Sequence, residues 1–173
     1  MSLNYFELFG LEPIFNIDLA ALESNFRKIE SDSHPDRFVT APAAEKLSAM
    51  QQATLANEAY LSLKNPANRA KYLLELQGIT AISETNTAMP TDFLMQQMEW
   101  REATEDAVSA KDIPALDNLL SEIRVEAKSL QENLVSFLDV RKDYAAATDA
   151  TRKLIFIDKV SEDINRAIEQ IDI

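Results

Sequence analysis

Apolar residues recur three and four positions apart through most of this chain, the spacing that lines one face of a helix. Leu19, Leu22, Phe26 and Ile29 form the first clear series, with Asp18 before it as an N-cap, and predict a helix running to about residue 33. A second series, Leu47, Met50, Thr54, Asn57 or Ala56, Tyr60 and Leu63, is read as the inner side of a helix whose first turn holds Pro42. Facing stripes on two helices joined by a short loop predict an antiparallel hairpin. A short aromatic-rich helix over residues 3–9, ended by Gly10, precedes the hairpin. After it, Asn65-Pro66 restarts a short helix through Arg69, Tyr72, Leu73 and Leu76 that Gly78 closes.

Residues 80–91 are polar, lack helical period and end at Pro90-Thr91, so they are expected to link a first domain (1–79) to a second (92–173). Three longer helices are predicted in the second domain, at about 92–110, 113–140 and 144–170. The middle one carries Leu116, Leu120, Ile123, Ala127, Leu130, Leu134 and Phe137 in near-heptad order. The last carries Leu154, Ile157, Ser161, Ile164, Ile168 and Ile171, and an antiparallel three-helix bundle satisfies both stripes.

Composition sharpens this into an all-α expectation. Only two glycines occur in 173 residues, and runs of alternating Val, Ile and Thr are absent. Hydrophobic residues at 46% against 27% charged give a folded rather than a disordered balance. The absence of cysteine excludes disulfides, thiolate metal sites and cysteine nucleophiles, and a single histidine argues against a His-based zinc or iron site. No cofactor is expected. A net charge of -12, concentrated after residue 80, argues against nucleic acid as a partner. The first residues lack signal-peptide features and no apolar run is long enough to span a membrane, so a soluble, cytoplasmic protein is expected.

The candidate chemistry begins with Ser33-His34-Pro35-Asp36-Arg37-Phe38, which lies between the hairpin helices and holds the only histidine. Pro35 lacks an N–H and disfavours helix at the residue before it, so the arriving helix should stop at Ser33. His34, Asp36 and Arg37 are then presented on an exposed turn, a compact polar probe better suited to docking than to catalysis. Taken alone, three such residues also read as an ordinary helix-ending turn. An acid–base enzyme using His34 and Asp36 is the alternative class, but no convergent second set of residues or glycine-rich cradle accompanies them.

A second candidate lies on the first helix of the bundle. At about 100° per residue, Gln97, Trp100, Thr104 and Ala107 fall on the side of Phe93 and should face the core. Leu94, Met95, Met98, Glu99, Glu102 and Asp106 spread over the opposite half. Two readings stand here. Apolar residues with adaptable methionines among acids make a binding patch; alternatively, Leu94 and Met98 pack against the first domain or line the bundle.

The first 76 or so residues resemble a J-domain, the part of DnaJ-type co-chaperones that stimulates ATP hydrolysis by DnaK-type chaperones. Tyr5-Phe6-Glu7-Leu8-Phe9-Gly10-Leu11 is similar to the opening motif with one extra residue before the glycine. Asn57 to Pro66 is similar to the closing "ala-tyr-x-x-leu-x-x-pro" motif, and Arg69-Ala70-Lys71-Tyr72 to the "arg-x-x-tyr" after it. No Gly/Phe-rich linker or zinc module follows. Instead, residues 93–102, Phe93 to Glu102, resemble the start of the C-terminal bundle of the HscB family, the J-type co-chaperones of iron–sulfur cluster assembly. Arg152 to Lys159 resembles that family's last helix. Two departures stand out: Ser33 occupies a position that is often aromatic, and Glu30 and Asp32 reduce a helix end that is usually more basic. The weakened charge points to a dedicated chaperone.

The resemblance implies roles. Asp36 offers a carboxylate to a basic residue of the chaperone, Pro35 fixes the loop, and His34 sets its geometry; Arg27, Lys28 and Arg37 steer a negative surface. It also implies that Leu94, Met95, Met98, Glu99, Glu102 and Asp106, with Phe156, bind the scaffold protein IscU while the J-domain engages an HscA-type chaperone. A J-protein delivering another client to a general DnaK-type chaperone is the alternative. No membrane or nucleic-acid partner is implied, and the chain alone is expected to be a monomer.

Overall fold

Short polar side chains folded back onto free backbone N–H groups start most of the helices, as the sequence predicts for Asp18. Asn4, Asp18, Asp112 and Asp143 each accept from the N–H three residues on, at 2.8 to 3.2 Å. The computed structural model describes residues 3–82 and 88–173. Its helices are α1 (Tyr5–Leu8), α2 (Leu19–Asp32), α3 (Ala43–Lys64), α4 (Pro66–Leu76), α5 (Thr91–Ser109), α6 (Ile113–Leu134) and α7 (Tyr144–Ile171). A 3₁₀ turn (Pro35–Phe38) lies between α2 and α3, and a π-helical turn (Val135–Val140) continues α6. No strand occurs among the described residues, and the fold is all-α as expected. Backbone contacts gather residues 1–73 into one compact unit and residues 74–173 into another, the seam falling inside α4.

In the first unit α2 and α3 pair as the expected hairpin, with α1 against α3. Aromatic contacts fill the layers between helices. Phe26 stacks on Tyr60 with ring centroids 4.1 Å apart, and Tyr5 stacks on Tyr72 at 4.4 Å. The Tyr72 hydroxyl accepts from the Tyr5 N–H at 2.9 Å, and Asn25 donates to the Phe9 carbonyl at 2.7 Å. Buried Arg69 donates to the Leu63 carbonyl and lies over the Phe15 ring, tying α4 to the end of α3.

The inner face of α3 differs from the expected stripe. Ala49, Ala56, Ala59 and Leu63 are buried, whereas Leu47, Met50, Thr54 and Asn57 are exposed. Phe26 and the half-buried Tyr60 already fill the interface, so the opposing positions must be small for the two helices to approach. Size-weighted hydrophobicity picks out the wrong side of such a helix. Leu19 of α2 is likewise exposed, with Leu22 buried below it.

The second unit is the expected three-helix bundle, in which α6 meets α7 most extensively and α5 packs on both. Leu116, Leu120, Ile123, Leu130 and Leu134 of α6 face Leu154, Ile157 and Ile164 of α7 in its core. The α-helix predicted to residue 140 instead loosens after Leu134. Arg141 N–H reaches back five residues to the Ser136 carbonyl at 2.8 Å, and the stripe shifts so that Leu138 rather than Phe137 is buried. Arg152 is itself buried, donating to the carbonyls of Ala81 at 2.6 Å and Ala88 at 3.2 Å. These carbonyls flank residues 83–87, the part of the expected 80–91 linker that lies outside the described residues.

Gly10 and Gly78 close α1 and α4 in the left-handed conformation, φ 66° and 76°. Two other helix ends use lysine there: Lys111 and Lys142 both have φ 53°. A side chain in that conformation costs about 1–2 kcal/mol, partly offset by the greater chain entropy of glycine in the unfolded state. Lys111→Gly and Lys142→Gly are each expected to raise the urea-unfolding free energy by about 0.5–1 kcal/mol. A loss of stability in both would contradict this assignment of strain.

Candidate functional site

The helix-ending turn is built by its own backbone chemistry. Ser33 ends α2 with its hydroxyl donating to the Ile29 carbonyl at 2.7 Å, and Pro35 opens the 3₁₀ turn. His34 is the N-cap: its Nδ1 accepts from the Asp36 N–H at 3.2 Å, which places the proton of the neutral ring on Nε2. The imidazole is half exposed and the Asp36 carboxylate is 89% exposed, its Oδ2 lying 3.6 Å from Nδ1. This is a carboxylate held outward by a capped turn, on an open surface rather than in an enclosed catalytic pocket.

Arg27, His34, Asp36 and Arg37 line one shallow depression of about 400 Å³, together with Glu30. Lys28 is exposed on the same helix but does not line it. Arg27 is paired with Glu23 at 2.7 Å, so its charge is partly met within α2. Pro35 faces the other way, into a groove of about 450 Å³ whose apolar walls include Phe38, Val39 and Met50. Sequence reading missed this groove because Met50 was assigned to the hairpin interior. The pairing of Ser33 with small Ala49 and Ala53 was the available signal for open space there.

On α5 the two halves separate as the helical wheel predicts. Phe93, Trp100 and Ala107 are buried, with Gln97 and Thr104 half-buried. Leu94, Met95 and Met98 are 45%, 59% and 71% exposed, so they do not line the bundle. Glu99, Glu102 and Asp106 are exposed on the same half. Phe156 of α7 is half-buried and meets the edge of Phe93, which in turn meets Trp100, at centroid distances of 6.3 and 6.2 Å. The core aromatics thereby hold Phe156 in place beside Leu94, with which it shares a groove. Among the described residues no group of His, Asp and Glu is arranged to hold a metal ion, and no helix is long and apolar enough to cross a membrane.

A His-Pro-Asp turn on a helical hairpin is thus followed along the chain by a three-helix bundle. The sequence model described as the HSCB C-terminal oligomerisation domain matches residues 89–165. The Co-chaperone protein HscB homolog of Burkholderia multivorans is 47% identical, over 98% of this chain and 96% of its own. The solved Chaperone HscB from Vibrio cholerae superposes with a TM-score of 0.84 at 38% identity, covering 98% of this chain and 99% of that one. Human co-chaperone protein HscB superposes with a TM-score of 0.89 at 27% identity, over 99% of this chain and 84% of its own. The chain belongs to the HscB family of J-type co-chaperones of iron–sulfur cluster assembly.

The burial pattern on α5 makes a stability prediction. Leu94→Ala and Met98→Ala should each change the unfolding free energy by less than about 0.5 kcal/mol, whereas Phe93→Ala should cost about 3–5 kcal/mol. Equal losses at Leu94 and Phe93 in urea denaturation would show that the outward half belongs to the core.

Proposed function

We propose that this protein stimulates ATP hydrolysis by a specialised, HscA-type member of the DnaK class and delivers the iron–sulfur scaffold IscU to it. The observation carrying this reading is that the chain presents two unlike exposed surfaces on two separate compact units. Residues 1–79 act as the J-domain, 92–173 as the client-binding bundle, and 80–91 as the link between them. In the first, Asp36 meets a basic group of the chaperone in a charge-assisted contact, with His34 and Pro35 fixing the turn and Arg27, Lys28 and Arg37 steering approach. In the second, Leu94, Met95, Met98 and Phe156 bury apolar area against the scaffold while Glu99, Glu102 and Asp106 form an acidic rim.

Joining the two surfaces in one chain raises the local concentration of client at the chaperone and couples hydrolysis to capture. The chain performs no chemistry of its own and needs no cofactor; the cluster travels on the scaffold. The protein works in the cytoplasm, without nucleic acid or membrane as a partner. Alone it is read as a monomer, which departs from the word oligomerisation in the description of the matching family.

Separate surfaces predict separable losses. Asp36→Asn should abolish ATPase stimulation while leaving scaffold affinity unchanged. Replacing Leu94, Met98 and Phe156 by Ala should weaken scaffold binding by at least about a hundredfold, as expected for central apolar contacts, and leave scaffold-free stimulation intact. Parallel loss of both activities in either variant would sink the two-surface reading.

A further inference from the structure

Arg152 is 7% exposed, and a buried guanidinium is tolerated only where its donors are satisfied. Its donors go to two carbonyls outside any helix, Ala81 at 2.6 Å and Ala88 at 3.2 Å, with the Asp149 carboxylate farther off at 3.9 Å. The residue after each carbonyl, Ile82 and Met89, lines the same groove as Leu94 and Phe156. Met89 is held a second time, by Gln97 Nε2 at 3.1 Å from its sulfur. The groove measures about 390 Å³, Ile155 adds to its apolar wall, and Lys159 stands at its side.

The geometry points to Arg152 as a positioning residue for client capture: it fixes Ile82 and Met89 as a further wall of the groove that takes an apolar side chain of the scaffold. This rests on the assignment of the Leu94 and Phe156 face to the scaffold. The occupant follows from continuity, because the groove shares those two residues with the exposed face and a partner covering the face covers the groove. Arginine suits the role because its planar fork reaches both carbonyls at once, whereas the single ammonium of lysine is a point donor. Ile82 and Met89 therefore contact the client; Arg152 also lines the groove, and its bonds to the Ala81 and Ala88 carbonyls hold those two residues in the wall.

The test is a double-mutant cycle read by calorimetric titration of the full chain with purified, cluster-free IscU-type scaffold, with thermal unfolding measured in parallel. Met89→Ala is expected to weaken binding about tenfold without lowering the unfolding midpoint, and Ile82→Ala to act in the same direction. Arg152→Met is expected to weaken binding at least as much, with Arg152→Lys recovering part of the loss. In the Arg152→Met background Met89→Ala should add nothing, because the side chain is no longer held in the wall. A Met89→Ala variant with unchanged affinity overturns the proposal, as do fully multiplicative losses in the cycle. If Arg152→Met does not fold, the same cycle is run on Arg152→Lys with the same two outcomes. Leu94→Ala and Phe156→Ala serve as the reference: unchanged affinity in these as well means that the scaffold assignment itself has failed, whereas losses confined to them overturn only the role of Arg152.

Discussion

A helix in a small bundle buries only the face it turns toward its neighbours, and that constraint decides which apolar side chains of this protein stay exposed. α5 and α3 both carry apolar residues on two sides. In α5 the bulky aromatics Phe93 and Trp100 take the interior, which leaves Leu94, Met95 and Met98 outside. In α3 small alanines take the interior because Phe26 and Tyr60 already fill it, which leaves Leu47 and Met50 outside. Both helices are thereby left with apolar side chains in solvent.

The turn between α2 and α3 works by a different economy. Pro35 fixes one backbone angle and His34 satisfies the Asp36 N–H through Nδ1, so little conformational freedom remains to be lost when the carboxylate is engaged. The same contact directs the imidazole Nε2–H away from the turn. Neighbouring charges moderate this surface, since Glu23 pairs with Arg27 and Glu30 shares the depression. Such a surface favours a partner that matches its shape as well as its charge.

Much of this was legible in the sequence because it depends on local rules. Helical period gave the order of the helices, Pro35 gave the turn, and the wheel of α5 separated buried Phe93 and Trp100 from exposed Leu94 and Met98. The failures are equally physical. The inner face of α3 was misassigned because close packing selects alanine, which carries little hydrophobic signal. The left-handed lysines at 111 and 142 gave no glycine to announce them, and the π-helical turn after Leu134 moves the stripe from Phe137 to Leu138 with no breaker residue to mark it. Arg152 was the least readable: its partners lie 71 and 64 residues away, and nothing in its own helix shows that its charge is buried.

The central claim is that the two exposed surfaces work together, so the decisive measurement is single-turnover ATP hydrolysis by an HscA-type chaperone as this protein is titrated in, with and without the scaffold. The account predicts stimulation by the protein alone and a greater than additive stimulation when the scaffold is present. Stimulation indifferent to the scaffold would contradict the coupling of the two surfaces, and no stimulation at all would reduce His34-Pro35-Asp36 to a helix-ending turn.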